Sequence, residues 1–347
     1  MHVLIAASGT GGHIFPALAV AQCLTEAKID WLGVPDRLEQ TLIPSHYPLH
    51  TITVSGFQGR PGLHWLKILQ RLITATLKVK RLIRRQNIDV VFTTGGYIAA
   101  PAILAARWAG IPVVLHESNA IPGKVTRLLA RLCTQVAVGF EAAIAYLPRQ
   151  KTLWTSTPVR EAFLSPQPLE FEVPDGAPLL VIVGGSQGAV AVNQLVRDCG
   201  PAWLAAGAYI LHLTGDRDPD ADSFTHPHYF AQAFHHNMAG LLQRADLAIG
   251  RSGAGTLTEL AITQTPAVLI PYPFAAEDHQ YFNAKAFVDA GAAIVLRQET
   301  LTPATLQAEV LALLKERDRL AAMARNAATL ASRDSAAHLA KILRDLC

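Results

Sequence analysis

Short apolar runs alternate with longer stretches of helical period along the whole chain. The runs lie near 3–7, 30–34, 49–54, 89–93, 112–115, 134–138 and 151–155. The pattern restarts at 179 and continues near 208–213, 246–249, 267–270 and 293–296. A continuous apolar run between turn residues predicts a strand buried on both faces, and close strand–helix alternation predicts parallel sheets covered by helices. Helices are predicted from Ile14 to Lys28, from Tyr97 to Ala109 and through the Ala/Leu/Arg-rich end of the chain. The proline-rich, non-periodic stretch 165–177 reads as a linker. It separates a first domain, 1–164, from a second, 178–333, and the last helix, 334–347, is expected to pack back on the first. The expected fold is α/β, with two Rossmann-like domains whose parallel sheets face a cleft.

Two strand-to-helix junctions are rich in glycine. One is Ser8-Gly9-Thr10-Gly11-Gly12-His13 and the other is Gly184-Gly185-Ser186-Gln187-Gly188-Ala189. At such junctions bare backbone N–H groups and the helix dipole favour anionic ligands. Only the first turn ends in a histidine. The positive end of a helix dipole disfavours imidazolium, so His13 is suited to accept a proton; capping of the helix is the plainer role. A third turn, Gly250-Arg251-Ser252-Gly253-Ala254-Gly255-Thr256-Leu257-Thr258-Glu259, opens another helix. The Glu259 carboxylate there can accept from vicinal hydroxyls or simply complement the dipole. Gln280 and Asn283 share a helix face and offer amide donors suited to a sugar, or cap a helix start.

Several classes fit poorly. A nicotinamide dehydrogenase would need a third glycine or alanine where Ile14 stands, although Asp36 leaves that reading open. The loop Asp216-Arg217-Asp218-Pro219-Asp220-Ala221-Asp222 fails as a calcium hand and is expected to be a solvated acidic loop. His226, His228, His235 and His236 are expected on surface loops, and no metal cluster or G-x-S-x-G nucleophile turn is present. The four cysteines form no C-x-x-C pair and read as free thiols of a reduced cytosol. No uncharged apolar run reaches the ~18 residues of a spanning helix, and the N-terminus lacks a leader-like pattern.

Net charge is +3, too little to argue for nucleic acid. Its distribution says more. No acidic residue falls between Glu39 and Asp89, where Arg60, Lys67, Arg71, Lys78, Lys80, Arg81, Arg84 and Arg85 interleave with leucines and isoleucines. This predicts a long basic amphipathic helix after Pro61-Gly62. It is either an ordinary domain helix with a solvated face or a surface for anionic membrane.

The ordered set Gly9-Thr10-Gly11-Gly12-His13-Ile14-Phe15-Pro16, Gly95-Gly96-Tyr97, His116-Glu117-Ser118-Asn119, the turn at 184–189 and Arg251-Ser252-Gly253-Ala254 resembles the MurG family. These are the undecaprenyldiphospho-muramoylpentapeptide β-N-acetylglucosaminyltransferases of glycosyltransferase family 28. The resemblance spans nearly the whole chain and implies the GT-B fold. It implies inverting transfer of GlcNAc from UDP-GlcNAc to the muramoyl 4-hydroxyl of lipid I, giving lipid II for peptidoglycan. It implies no cofactor or metal and a peripheral location on the cytoplasmic face of the cell membrane, with cell-wall synthesis or division proteins as partners.

By the same resemblance His13 is the general base, and Thr10, Gly11, Gly12 and Asn119 lie by the donor sugar and its phosphates. Arg160 reaches the nucleotide, Ser186 holds the diphosphate, and His235 sits where backbone groups read uracil. Ala254, Gly255, Thr256, Leu257, Thr258 and Glu259 wrap the nucleotide, with Glu259 on the ribose. Gln280 and Asn283 bind the sugar hydroxyls, while Tyr97, His116 and Glu117 line the acceptor side. The chain departs from the family's usual Gly-Asn at Ser156-Thr157, and it carries His279 where some members have a second glutamine. Competing readings are a transferase of the same fold acting on another lipid such as diacylglycerol, a dehydrogenase, and a non-catalytic nucleotide-sugar binder.

Overall fold

The structure, a computed structural model, describes residues 1–35, 39–54, 63–185 and 188–347. It divides into two compact units, Met1–Arg160 with Arg333–Cys347, and Glu161–Ser332.

In the first unit β1 (His2–Ala6), β2 (Lys28–Gly33), β3 (Leu49–Thr51), β4 (Val90–Thr93), β5 (Val113–Glu117), β6 (Gln135–Val138) and β7 (Thr152–Trp154) form one sheet. Its order is β3-β2-β1-β4-β5-β6-β7, and every pairing is parallel. The helices are α1 (Gly11–Gln22), α2 (Glu39–Leu42), α3 (Leu63–Gln86), α4 (Ala99–Ala109) and α5 (Lys124–Leu129). Leu4, Leu32, Val91 and Leu115 face one core with Val79 and Ile103, whereas Val3, Ile5, Trp31 and Phe92 face another with Ile14. Both faces of the central strands are thus covered, which is why those strands read as unbroken apolar runs.

The chain returns to this unit at its end. Helix α12 (Ser335–Asp345) packs on α1 and adds Leu339, Ala340 and Leu343 to the second core. Each buried leucine contributes about 1.5–3 kcal/mol. A single carbonyl anchors the return: the oxygen of Ser156 accepts from Ser335 Oγ at 3.0 Å, His116 Nε2 at 3.1 Å and Thr155 Oγ1 at 2.9 Å. Ser156 itself is left-handed at φ 64°, the conformation that glycine adopts without strain.

The second unit holds β8 (Leu179–Val183), β9 (Tyr209–Leu213), β10 (Tyr229–Gln232), β11 (Leu247–Gly250), β12 (Ala267–Leu269) and β13 (Ala293–Val295). They pair in parallel in the order β10-β9-β8-β11-β12-β13. Around them lie α6 (Val190–Ala205), α7 (Met238–Arg244), α8 (Ala254–Thr263), α9 (His279–Asp289), α10 (Pro303–Lys315) and α11 (Arg317–Ala328). Strand β10 is absent from the sequence pattern because it lies on the sheet edge, with Tyr229 its one buried residue. The proline-rich stretch is tied to this unit: Gln243 Oε1 accepts from Gln167 N at 2.9 Å, and Asn237 Nδ2 donates to Pro168 O at 2.8 Å.

The acidic loop is not uniformly solvated. Asp218 is buried in an ion pair with Arg197 at 2.8 Å and also accepts from Asn193 Nδ2 at 2.7 Å. Burial opposes its charge, but the hydrogen bonds from Arg197 and Asn193 prevail and hold its carboxyl below the usual range. Asn193 Oδ1 accepts from His212 Nε2 at 3.0 Å, which leaves Nδ1 to accept from the Tyr229 hydroxyl at 2.7 Å. The neutral imidazole is therefore fully used. Burial, and secondarily the Arg197 charge, depress its pKa to about 4. Burial does the same to His116, also to about 4. None of the four cysteines is in a disulfide, and burial pushes Cys133 and Cys199 up to about 12, which leaves both unreactive at neutral pH.

These two histidines make stability depend on acid in a definite direction. Their folded pKa lies below the unfolded value, so their contribution is complete above pH ~6.5 and is lost as pH falls towards 4. Each accounts for on the order of 3 kcal/mol over that window. Urea unfolding at pH 7, 5.5 and 4.5 should show a smaller loss in His212→Gln than in the natural chain. An equal loss in both would mean that His212 does not stay neutral.

Candidate active site and donor cradle

In a parallel sheet the point where strand order reverses leaves a crevice at the carboxyl edge. In the first unit that point lies at β1 and β4. The turn after β1 carries Gly9 at φ 102°, and Thr10, in extended conformation, precedes the first residue of α1. Thr10 and Gly12 are exposed; Gly11 is half-buried against the Phe15 ring, where an added Cβ would come within 2.7 Å.

His13 is the third residue of α1. Its Nδ1 lies 2.7 Å from Thr94 O, and Thr94 Oγ1 returns a bond to His13 O at 2.9 Å. A carbonyl only accepts, so Nδ1 carries the proton and Nε2 of the neutral ring is the acceptor. Gly95 (φ 90°) and Gly96 (φ 73°) then wrap the ring; Cβ atoms there would stand 3.7 Å from Cε1 and 3.6 Å from Nε2. The two turns thus form one unit around the imidazole.

Arg160 lies over the Phe15 ring, 4.6 Å from its centroid. Glu117 is a brace. Its Oε1 accepts from the Asn119 backbone and side chain, and its Oε2 accepts from Gly123 N at the start of α5 and from Thr126 Oγ1. Of the three acceptor-side candidates, Tyr97 is 49% exposed, whereas His116 and Glu117 are buried. His116 holds the Ser156 turn, which is itself buried, and Glu117 holds the half-buried Asn119.

The reversal point in the second unit lies at β8 and β11. Gly185 (φ 87°) and Gly188 (φ 73°) are left-handed, and a side chain at Gly188 would meet Thr214 O. Ser186 lies outside the described residues. On the neighbouring strand a side chain at Gly250 would run into Val183 O. Beyond it Gly253 precedes α8, and positions 253 and 255 open on empty space. The N–H groups of Ala254, Gly255 and Thr256 form that helix's first turn, a geometry suited to an anion. Leu257 and Thr258 are buried; Glu259 is half-buried one turn on.

Helix α9 is clamped to this turn. Ser252 Oγ donates to Gln280 O at 2.7 Å, and Asn283 Nδ2 donates to Ser252 O at 3.2 Å. Asn283 is completely buried, and through this bond it holds the turn. Gln280 is half-buried and its Oε1 accepts from Tyr272 N at 3.0 Å, so Nε2 is the donor end of its amide. Arg251 braces the same loop from below, donating to the carbonyls of Ile270 and Pro271. His235 is buried, contrary to its expected surface position, and donates from Nδ1 to Gln232 Oε1. Among the described residues no group of three or more His, Cys, Asp or Glu is placed to hold a metal ion.

Thr94 carries no role in the sequence pattern, and the glycine pair that follows it after β4 is its one available signal, since it repeats the pattern of the first turn. Phe15 and Arg251 stand inside motifs visible in the sequence, but their contacts with Arg160 and with the carbonyls of Ile270 and Pro271 are not.

Comparison with known proteins agrees with this architecture. The family model described as Glycosyltransferase family 28 N-terminal domain matches residues 3–138, and that of the C-terminal domain matches 179–339. A protein of Rippkaea orientalis is 62% identical over 98% of this chain and 97% of its own length. One of Synechocystis is 59% identical over 99% and 97%. Both are named UDP-N-acetylglucosamine–N-acetylmuramyl-(pentapeptide) pyrophosphoryl-undecaprenol N-acetylglucosamine transferase. The crystal structure of Acinetobacter baumannii MurG is similar with a TM-score of 0.79 and 32% identity, covering 99% of each chain. With both halves matched and relatives this close over its full length, the chain belongs to glycosyltransferase family 28.

Proposed function

We propose that the protein transfers N-acetylglucosamine from UDP-N-acetylglucosamine to the 4-hydroxyl of the muramoyl sugar of lipid I, with inversion. The observation that carries this reading is the fixed tautomer of His13, which presents Nε2 as a base at a strand-reversal point. His13 Nε2 takes the hydroxyl proton while that oxygen bonds to the anomeric carbon. The bond from that carbon to the diphosphate oxygen breaks, and its electron pair leaves with UDP. The first-turn N–H groups of α8 stabilise the charge that develops on the diphosphate. Glu259 accepts from the ribose hydroxyls, Gln280 Nε2 donates to the sugar, and Arg160, carried by Phe15, reaches the nucleotide. Thr10, Gly12 and Asn119 lie along the sugar and phosphate path, and Tyr97 meets the acceptor.

The lipid acceptor brings the enzyme to the cytoplasmic face of the membrane. Among the described residues no helix is long and apolar enough to cross one. Helix α3 supplies a docking face. Leu66, Leu69 and Ile73 follow one another at helical spacing and are 65%, 47% and 52% exposed. Lys67, Arg71, Lys78, Arg81, Arg84 and Arg85 are exposed beside them, and Lys80 sits 4.0 Å over the exposed Trp108 ring. Apolar insertion together with ~1 kcal/mol per basic residue gives reversible binding to anionic lipid.

Removing the base should leave binding intact. His13→Ala is expected to lower kcat by roughly 10²–10⁴ while UDP-N-acetylglucosamine affinity stays within about threefold. Near-normal turnover on a short-chain lipid I analogue would eliminate His13 as base, and preferred turnover of diacylglycerol would replace the acceptor.

Charge reversal of Arg81, Arg84 and Arg85 to Glu should weaken binding to phosphatidylserine vesicles by at least about tenfold at low salt. It should leave turnover of a water-soluble acceptor unchanged. Undiminished vesicle binding would move the docking face off α3.

A further inference from the structure

The turn that precedes α9 has an unusual backbone. Glu277 (φ 53°) and Asp278 (φ 54°) are the one consecutive pair of left-handed non-glycine residues among those described. Such a pair is strained and persists only when surrounding contacts hold it. The holding contact comes from Arg297, just beyond β13. Arg297 Nη2 donates to Asp278 Oδ2 at 2.8 Å, and its guanidinium lies 3.7 Å over the centroid of the Tyr281 ring. One side chain therefore grips the residues on both sides of His279-Gln280.

Gln280 is fixed from the other direction as well. Its carbonyl accepts from Ser252 and its Oε1 from Tyr272 N, so the orientation of Nε2 follows from the path of the turn. The Asp278 and Arg297 side chains are 35% and 39% exposed. An ion pair in that setting adds little to stability, and what it supplies is geometry.

We propose that Arg297 is a positioning residue for recognition of the donor sugar, holding the strained turn so that Gln280 Nε2 meets a sugar hydroxyl. This rests on the reading of Gln280 as a sugar contact. The nucleotide end of the donor, held elsewhere, is outside its influence.

The test compares Arg297→Ala, Arg297→Lys, Gln280→Ala and the double alanine variant. Steady-state kinetics would use UDP-N-acetylglucosamine and its C4 epimer, with inhibition by UDP alone as the control. Arg297→Ala is expected to raise KM for the donor roughly tenfold and to erode the preference over the epimer, with kcat and UDP inhibition within about threefold of the natural chain. Arg297→Lys, which keeps a charge for Asp278, recovers part of the loss. The double variant is no worse than Gln280→Ala, because both changes remove one contact. Unchanged KM and epimer preference in Arg297→Ala, alongside losses in Gln280→Ala, would overturn the positioning role alone. Equal weakening of UDP and UDP-sugar by Arg297→Ala would overturn it too, as general damage to the unit. Gln280→Ala with normal KM and preference would instead remove the sugar contact itself, and the proposal with it.

Discussion

A parallel sheet whose strand order reverses sends its chain away in opposite directions from two adjacent strands, and a crevice is left at their carboxyl ends. This chain meets that constraint in each unit, at β1 and β4 and again at β8 and β11. The backbones that border the crevice come close enough to exclude side chains. Gly250 against the Val183 carbonyl and Gly188 against the Thr214 carbonyl are two such cases. The two crevices are then finished differently. In the first, an imidazole spans the gap and binds the opposite turn through Thr94. In the second, the helix end is left open, and its neighbours are tied back by Ser252 and Asn283. The first geometry offers a ring nitrogen able to accept a proton, and the second offers backbone N–H groups suited to an anion.

The polar residues beneath these crevices have the side-chain types of catalysts, but they form the frame. His116, Glu117, His212, Asn193 and Asp218 are buried, and each meets fixed partners. Burying such groups is costly unless they are hydrogen-bonded, and a satisfied network in turn permits one arrangement only. Glu117 shows the consequence for function. Two oxygens accepting from Asn119, Gly123 and Thr126 set the path of a whole loop without the carboxylate reaching the surface.

How much of this could be read from the residue order depends on what each feature consists of. The central strands of both sheets are buried on two faces, so 3–7 and 179–183 announce themselves as apolar runs; β10, an edge strand with one buried residue, does not. The glycine turns are visible because a tight approach demands that residue type. The His13 partner is invisible because a carbonyl oxygen belongs to every residue, and its place beside the ring depends on a contact 81 positions away in sequence. His235 and Asp218 were expected at the surface because composition cannot tell a buried polar side chain from a solvated one. Their burial follows from which helix packs on which loop. The roles of Glu259 and Gln280 became specific only through family resemblance.

Backbone strain follows the same logic as the glycines, with a different remedy. Ser156 occupies a left-handed conformation that costs a non-glycine residue roughly 1–2 kcal/mol. Three donors converge on its carbonyl, two of them from β5 and from the returning helix α12. Four residues later comes Arg160 on its Phe15 platform. Before α9 the strained pair is Glu277 and Asp278, its clamp is Arg297, and Gln280 lies two residues on. Where glycine would relax the turn, these positions keep side chains and fix it by outside contacts. A glycine there would relieve strain but leave the unfolded chain freer and the turn less determined. The side chain two or four residues downstream would then be aimed by a softer hinge. Strain held in this way is a means of aiming, and it occurs here at the two turns that lead to Arg160 and Gln280.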